Sequence, residues 1–404
     1  MFSLFGGSKN YSIGIDFGTS AIKVVELFKK NQKIYLDNYG WADLGLKNPS
    51  SIKGLASLDS QSIQNENLQK YLEKLVKSMK LKSNEAYISL PGFSGLITVI
   101  EFPDMDGEEL EEAIRFEARK YIPISLDEVA LDWEIIGSNE AVSGAGKKSD
   151  IEKNNIKNGD ETGKESSSWN RDIGNIMNPS AKTGFAKKRN EILLVAAPKS
   201  EVMRCGDIVE GAGLKVKNVE LELFSLVRSL VGNDAGCFLI IDIGSRITNI
   251  ILVEKGNIRV SRNIEGGGSE VTNAIADSLN ISKQRAEELK KENKDFINNK
   301  EMSLAIPVLD MIANESIRII NAFKEKNPNF ARIDGVILSG GCSKLQGIDK
   351  YFDQKIGIQT SIGNPWKRVI CDEKMNPFIK KLGTSFSVAL GVAFRGLEEA
   401  EKKQ

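Results

Sequence analysis

Tyr11-Ser12-Ile13-Gly14-Ile15-Asp16-Phe17-Gly18-Thr19-Ser20 and Cys237-Phe238-Leu239-Ile240-Ile241-Asp242-Ile243-Gly244-Ser245 are two versions of one phrase, an apolar run that ends in Asp, any residue, Gly, then Thr or Ser. Each apolar run reads as a buried strand, and more β-type sequence follows each. The pattern predicts a tight hairpin. Its glycine lets the backbone approach a phosphate, its hydroxyl and exposed N–H groups are donors, and its carboxylate can hold a hydrated Mg²⁺ beside the phosphate oxygens. A lone Asp-x-Gly-[Thr/Ser] occurs in ordinary β-turns. Two copies in matching contexts, 226 positions apart from Asp16 to Asp242, predict two similar jaws closing on one phosphate group.

The rest of the composition narrows the chemistry. A chain of 404 residues exceeds the usual size of one core, so two or more domains are expected. Lys plus Arg and Asp plus Glu number 55 each, which gives no net field to recruit nucleic acid or an anionic membrane. No apolar run approaches the roughly 20 residues needed to span a bilayer, and the opening Met1-Phe2-Ser3-Leu4-Phe5-Gly6-Gly7 is too short for a secretory segment. A cytoplasmic protein is expected. The sequence has no histidine, and Cys205, Cys237, Cys342 and Cys371 are scattered without C-x-x-C spacing, so neither structural zinc, nor disulfides, nor a Ser-His dyad is expected. The available chemistry is that of carboxylates, lysines, hydroxyls, backbone amides and Mg²⁺.

Further along, Ile22 to Phe28, a turn at Lys29-Lys30-Asn31-Gln32 and Lys33 to Tyr39 complete a β-meander, and Leu68, Leu72, Leu75, Val76 and Met79 fall at helical spacing. A second β–α unit begins at Leu96, its helix signposted by Asp106 as cap, Glu109 three residues on, and a stripe of Leu110, Ala113, Ile114 and Ala118. From Ser138 to Asn190 the composition turns to Lys, Asn, Gly, Ser, Asp and Glu without a period, which predicts a disordered insertion at a surface turn between two strands. Glu191 to Ala197 reads as a strand, Lys199 to Ala212 as a helix and Leu214 to Leu221 as a strand. Beyond the second hairpin, Glu254-Lys255-Gly256-Asn257 is a hairpin turn, and Gly266-Gly267-Gly268 opens the helical stretch Val271 to Leu279. Helices are predicted over Ser282 to Asn293 and Ser303 to Phe323, a strand runs into Gly340-Gly341, and a last buried helix covers Phe386 to Phe394. Strands first and helices after, twice, predict a duplicated α/β architecture around a cleft.

Asp16-x-Gly18-Thr19, Glu222, Asp242-x-Gly244-Ser245, Gly267-Gly268 and Gly340-Gly341 occur in an order that resembles the actin-like ATPase superfamily, which includes actin, the heat-shock chaperone ATPases, FtsA and sugar kinases. The resemblance implies ATP and Mg²⁺ as ligands. It implies that Asp16 and Asp242 address the metal, mostly through water, that Gly18, Thr19, Ser20, Gly244 and Ser245 cradle phosphates, and that Gly267, Gly268, Gly340 and Gly341 flank the nucleoside. Lys23, seven residues after Asp16, matches the spacing of the phosphate lysine of actin, and Glu287 with Lys290 falls where relatives place a base-contacting helix. Ordinary alternatives stand beside these: a simple turn at Gly340-Gly341, a solvated helix face for Glu287 and Lys290, and an outward-pointing edge-strand position for Lys23.

A longer run of phrases is more specific. Glu101-Phe102-Pro103-Asp104-Met105, Glu109-Leu110, Ala113-Ile114, Glu117-Ala118, Lys120-Tyr121-Ile122-Pro123 and Asp127-Glu128-Val129-Ala130-Leu131-Asp132-Trp133 resemble the PilM family of type IV pilus assembly proteins. So do Val195-Ala196-Ala197-Pro198-Lys199, Ala212-Gly213-Leu214 and Arg262-Asn263-Ile264. The resemblance implies an α/β, duplicated actin-like ATPase fold with a central nucleotide cleft and an FtsA-like small inserted domain. Its divisions would be 1–92 with 198–235 and a C-terminal helix at about 384–404, the small domain at 93–197, 236–265 with 330–383, and a helical part at 266–329. It also implies binding of the cytoplasmic N-terminal tail of a PilN-type inner-membrane protein near the 93–137 part of the small domain, and peripheral recruitment to that membrane.

The family's connecting segment reads Glu-Pro-x-Ala, where this chain has Glu222-Leu223-Phe224-Ser225. Glu222 is the one candidate for orienting a hydrolytic water, so tight nucleotide binding with slow or negligible turnover is expected. An FtsA-like division protein is a second reading, but the tail Arg395 to Gln404 lacks the broad apolar face of a membrane-tethering helix. A small-molecule kinase on the same fold is a third, without a recognisable catalytic carboxylate or substrate domain.

Overall fold

A computed structural model describes residues 10–44, 58–105, 107–139, 189–292, 294–297, 306–328, 330 and 332–402. Strands Asn10–Phe17 (β1), Ala21–Lys30 (β2) and Lys33–Asp43 (β3) form an antiparallel meander, followed by helix Leu58–Met79 (α1) and strand Glu85–Leu90 (β4), which lies parallel to β1. A small domain then interrupts the lobe: strand Leu96–Pro103 (β5), helix Gly107–Ala118 (α2), and strands Val129–Asn139 (β6) and Arg189–Pro198 (β7). The lobe resumes with helix Lys199–Gly211 (α3), strand Lys215–Leu221 (β8) and helix Glu222–Leu230 (α4).

The second lobe repeats the plan. Strands Cys237–Ile243 (β9), Ile247–Glu254 (β10) and Asn257–Glu265 (β11) precede helices Gly268–Leu279 (α5), Lys283–Lys291 (α6) and Pro307–Lys326 (α7). Strand Gly335–Ser339 (β12), helix Ile348–Ile356 (α8) and strand Thr360–Ile362 (β13) complete its sheet. Strand Val369–Ile370 (β14), helix Asn376–Leu382 (α9) and helix Ser387–Lys402 (α10) return to the first lobe. The sheets run β14-β3-β2-β1-β4-β8 and β11-β10-β9-β12-β13, so five strands of each correspond one for one in order and direction. The meander turns correspond as well. Asn31-Gln32 and Lys255-Gly256 both have φ between +51° and +80°, the left-handed pair that matches the twist of a two-residue hairpin.

Each lobe buries its own core, Ile13, Ile15, Ile88 and Leu72 in the first, Leu239, Ile241, Leu252 and Phe296 in the second. A third apolar cluster joins them: Leu226 and Val227 of α4, Val388 and Val392 of α10, Tyr87 of β4, Ile251 and Val253 of β10 and Leu193 of β7. Here α4 and α10 cross so closely that a Cβ on Gly391 would lie 2.0 Å from the Ser225 carbonyl oxygen. The buried charge at that crossing is Glu220, paired at 2.7 Å with Arg228 and at 2.9 Å with Arg395. In the small domain the sheet order is β5-β7-β6, with Leu110, Ile114 and Ala118 of α2 packed on one face, so the predicted stripe is the domain's own core.

Several expectations need correction. The last helix is not confined to 386–394 but runs to Lys402, because Leu397 still packs on the first lobe and Glu399 is held by Arg395. The helix predicted from Ser303 starts at Pro307, where the proline's missing donor costs nothing, and residues 303–305 lie outside the described ones. The low-complexity segment is shorter than Ser138 to Asn190 at both ends. Ser138 pairs with Asn190 and Asn139 with Arg189, and the buried Asn190 amide donates to Asp104 at 3.0 Å, so polar residues there extend a hairpin. The remainder of that segment and the proposed cap Asp106 lie outside the described residues.

Candidate functional site

The two Asp-x-Gly turns have the same construction. The Gly18 N–H donates to the Ala21 carbonyl at 3.1 Å, and the Gly244 N–H to the Ile247 carbonyl at 3.0 Å. A Cβ at either glycine would press on that same carbonyl, at 3.0 and 2.7 Å, which explains the glycines without any ligand. The aspartates precede the turns at the ends of β1 and β9, the central strands of their sheets, and both are nearly fully buried.

Across the first hairpin Asp16 faces Lys23, and the Lys23 ammonium donates to the Asp16 carboxylate at 2.9 Å. Lys23 is therefore not on an edge strand; β2 lies between β1 and β3, and its side chain is directed to the cleft. Burial disfavours its charge, yet attraction to Asp16, then Asp242 and Glu222, outweighs burial and raises its pKa. Residues of both lobes thus share one field. Asp242 responds likewise: burial lifts it to about 6 and the Asp16 charge adds to that, while Ser339, Lys23 and Asn249 pull the other way.

Glu222, the first residue of α4, completes the group from the junction between the lobes. Its Oε1 accepts from the Gly92 N–H at 2.7 Å and from the Asn249 amide at 2.8 Å. Burial first, then Asp16 and Asp242, push it up to about 8 despite these two donors. With Glu222 largely protonated at neutral pH, the two aspartates still outnumber the one ammonium, a deficit that a divalent cation would correct. The buried Asn249 Oδ1 has no partner and would accept from a water or a hydroxyl. Among the described residues no three Cys, Asp or Glu side chains are placed to hold one ion together, so a metal would be bound largely through water and phosphate oxygens.

The remaining glycines surround the second hairpin. Gly267 could not carry a Cβ, which would lie 2.5 Å from the Gly244 carbonyl oxygen, and the Gly268 and Ser269 N–H groups donate to the carbonyls of Gly244 and Ser245 at 2.9 and 2.8 Å. The Ser245 and Ser269 hydroxyls are 3.1 Å apart. The start of α5 is thus fastened to the turn. Glu287 and Lys290 belong to this construction rather than to a solvated face: they pair at 2.6 Å, Thr272 donates to Glu287 at 2.6 Å, and Lys290 donates to the Gly268 carbonyl at 2.9 Å. Gly340, at φ +83°, passes against Ile243, with a Cβ 2.3 Å from the Ile243 carbonyl oxygen, whereas Gly341 is open.

Three participants carry no signal in the sequence. Asn249 is found only by its register opposite Asp242, and Ser339 by its parallel register beside it. Lys344 follows the diglycine turn, and its ammonium is held below the ordinary lysine value by desolvation and by the charges of Lys23, Lys291 and Lys381. The Lys344 ammonium itself donates to the Lys381 and Leu382 carbonyls at 3.3 and 3.4 Å. In the 93–137 region, Phe93, Met105, Phe116, Tyr121, Ile124 and Ile135 are exposed. Among the described residues no helix is long and apolar enough to cross a membrane.

Residues 14–148 and 175–397 match the family described as type IV pilus assembly protein PilM. The structure described as the PilM-PilN type IV pilus biogenesis complex superposes with a TM-score of 0.70 at 22% identity, covering 96% of this chain and 98% of that one. The ethanolamine utilization protein EutJ from Carboxydothermus hydrogenoformans gives 0.45 at 16% identity, over 95% and 89%. MreB5 of Spiroplasma citri bound to ADP gives 0.44 at 12% identity, over 98% of each chain. The architecture is the actin-like ATPase fold.

Proposed function

The chain belongs to the PilM family of type IV pilus assembly proteins, and from that premise we propose that it is a nucleotide-binding adaptor of the inner-membrane assembly platform. In this reading ATP lies in the cleft and a PilN-type membrane protein offers its N-terminal cytoplasmic tail. The observation that carries the nucleotide part is the buried group between the lobes: Lys23 bonded to Asp16 in the first, and Glu222 bonded to the amide of Asn249, which stands in register opposite Asp242 in the second. Asp16 and Asp242 would hold the waters of a Mg²⁺ ion, whose chemistry is to neutralise and orient phosphate oxygens. Lys23, with the turn residues Thr19, Ser20 and Ser245, would bind phosphate oxygens, and Gly340-Gly341 with Lys344 would border the nucleoside.

Turnover is slow or negligible in this account. Orienting an attacking water requires a positioned acceptor, and the available carboxyl, Glu222, has its Oε1 committed to the Gly92 N–H and the Asn249 amide and is lifted to about 8, which makes it a poor anionic acceptor at neutral pH. The protein would sit on the cytoplasmic face of the inner membrane, held there by its partner. An immobilised N-terminal peptide of a PilN-type protein tests the adaptor role: retention of this chain that depends on Mg-ATP supports it. No retention under either condition rejects it. Steady-state phosphate release of many turnovers per second, lost in Glu222→Gln, would overturn the slow-turnover part.

A further inference from the structure

We propose that the small domain is carried by the second lobe, so that any change in the nucleotide cleft alters the gap between the small domain and the first lobe. This rests on the nucleotide reading above. By sequence the small domain is an insertion in the first lobe, joined to it through Pro91–Gly95 and at Pro198. Its buried ion pair lies elsewhere. Arg259 of β11 grips Glu191 of β7 with two parallel hydrogen bonds of 2.6 and 2.9 Å, and the side chains are only 11% and 13% exposed. Such a bidentate pair is geometrically rigid, and removing one partner strands a buried charge. Glu254 of β10 stands 3.6 Å from the same guanidinium and fixes it to the second lobe.

Beside this clamp, Leu193 and Val99 of the small sheet join the seam cluster that holds Ile251, Val253 and Ile258 of the second lobe and Leu226 and Val227 of the first. Val195 and Ile97 also lie against the first-lobe core, so apolar packing is shared and the buried ion pair is what distinguishes the second lobe. At the cleft end the Gly92 N–H, in the connector itself, is tied to Glu222 of α4 in the first lobe, and Asn249 of the second lobe holds the same oxygen, so the connector is anchored at the junction of the two. Toward α3 of the first lobe, by contrast, the polar link is Lys199 to the Asp127 carbonyl at 2.8 Å, and it is exposed. Exposed links of this kind contribute little. A lobe movement therefore breaks or bends the exposed side and the Pro91–Gly95 connector before it breaks the buried clamp. Glu191 and Arg259 act as positioning residues that transmit the state of the cleft to the small domain.

The test uses the full chain with Cys371→Ser and spin labels in two pairs, Glu112→Cys on α2 with Met203→Cys on α3, and Glu112→Cys with Lys350→Cys on α8. Distances are read with and without Mg-AMPPNP, and nucleotide affinity is titrated on the same samples. The expected result is a shift of more than about 2 Å in the 112–203 distance with 112–350 unchanged. In Glu191→Gln and in Arg259→Gln the pattern reverses, with nucleotide affinity within about twofold of the parent; Glu191→Gln keeps the side-chain shape, so a folding failure of Arg259→Gln leaves the test intact. A 112–350 shift with 112–203 fixed overturns the proposal, as do unchanged shifts in both variants or no shift in either pair despite saturation. Absence of nucleotide binding in the parent is a separate result: it rejects the nucleotide reading and the proposal with it.

Discussion

At the level of single residues the cleft depends on a few side chains whose roles differ. Lys23 is the group best placed to meet phosphate, since it donates to Asp16 and feels Asp242 and Glu222. Lys23→Ala should weaken Mg-ATP binding by about 10- to 100-fold, the worth of one charge-assisted hydrogen bond, measured by titration with a fluorescent analogue. Gly340 is a conformational requirement: a side chain there is strained at φ +83° and collides with Ile243. Gly340→Ala should cost about 2–4 kcal/mol in urea denaturation. Away from the cleft, fully buried Glu26 accepts from the Lys82 and Ser83 N–H groups at 2.7 and 2.9 Å, and burial, with Asp37 adding to it, lifts its carboxyl to about 7. Its folded pKa exceeds its unfolded one, so its contribution is full below the unfolded value and is lost as pH rises through about 7. Between pH 5 and pH 8 the parent should therefore lose up to about 3 kcal/mol relative to Glu26→Gln, in denaturation curves run at both pH values. The paired motifs made Asp16, Gly18, Asp242 and Gly244 legible in the sequence. Asn249, Ser339 and Lys344 were not, because each joins the cleft only through strand register or through the turn after β12, and no local pattern encodes which residues stand side by side.

The elements were more legible than their ends. Apolar runs broken by Asp-x-Gly and by Lys-Gly or Asn-Gln turns determine the β-meanders, and period-3.6 stripes determine α1, α2 and α7, because these signals are local. The ends of β6, β7 and α10 depend on tertiary pairing, such as Asn190 with Asp104 and Arg395 with Glu220, which composition does not reveal. Glycine separates the two kinds of information well. Gly206 lies inside α3 with no atom near its missing Cβ, whereas Gly391 in α10 leaves no room against Ser225. Gly206→Ala should therefore raise stability by about 0.5–1 kcal/mol, and Gly391→Ala should lower it by more than about 2 kcal/mol through the α4–α10 crossing. Parallel thermal melts of the two variants check both signs. A neutral Gly391→Ala would mean that the crossing is looser than the packing indicates.

At the scale of the whole molecule, duplication gives each lobe one Asp-x-Gly hairpin, and α4 and α10 join the lobes through one apolar seam. Leu193 of the small domain lies in the same seam. The duplicated architecture was readable from two short phrases. The attachment of the small domain to the second lobe was not, since Glu191 and Arg259 are distant in sequence and unremarkable in composition. If the two hairpins form one clasp, each aspartate is needed for the same bound nucleotide, which isothermal titration of Mg-ATP into the parent, Asp16→Ala and Asp242→Ala measures. Saturable one-to-one binding to the parent and at least about tenfold weaker binding to each variant are expected, consistent with the loss of one charged contact. Parent-like affinity in either variant would contradict the single clasp.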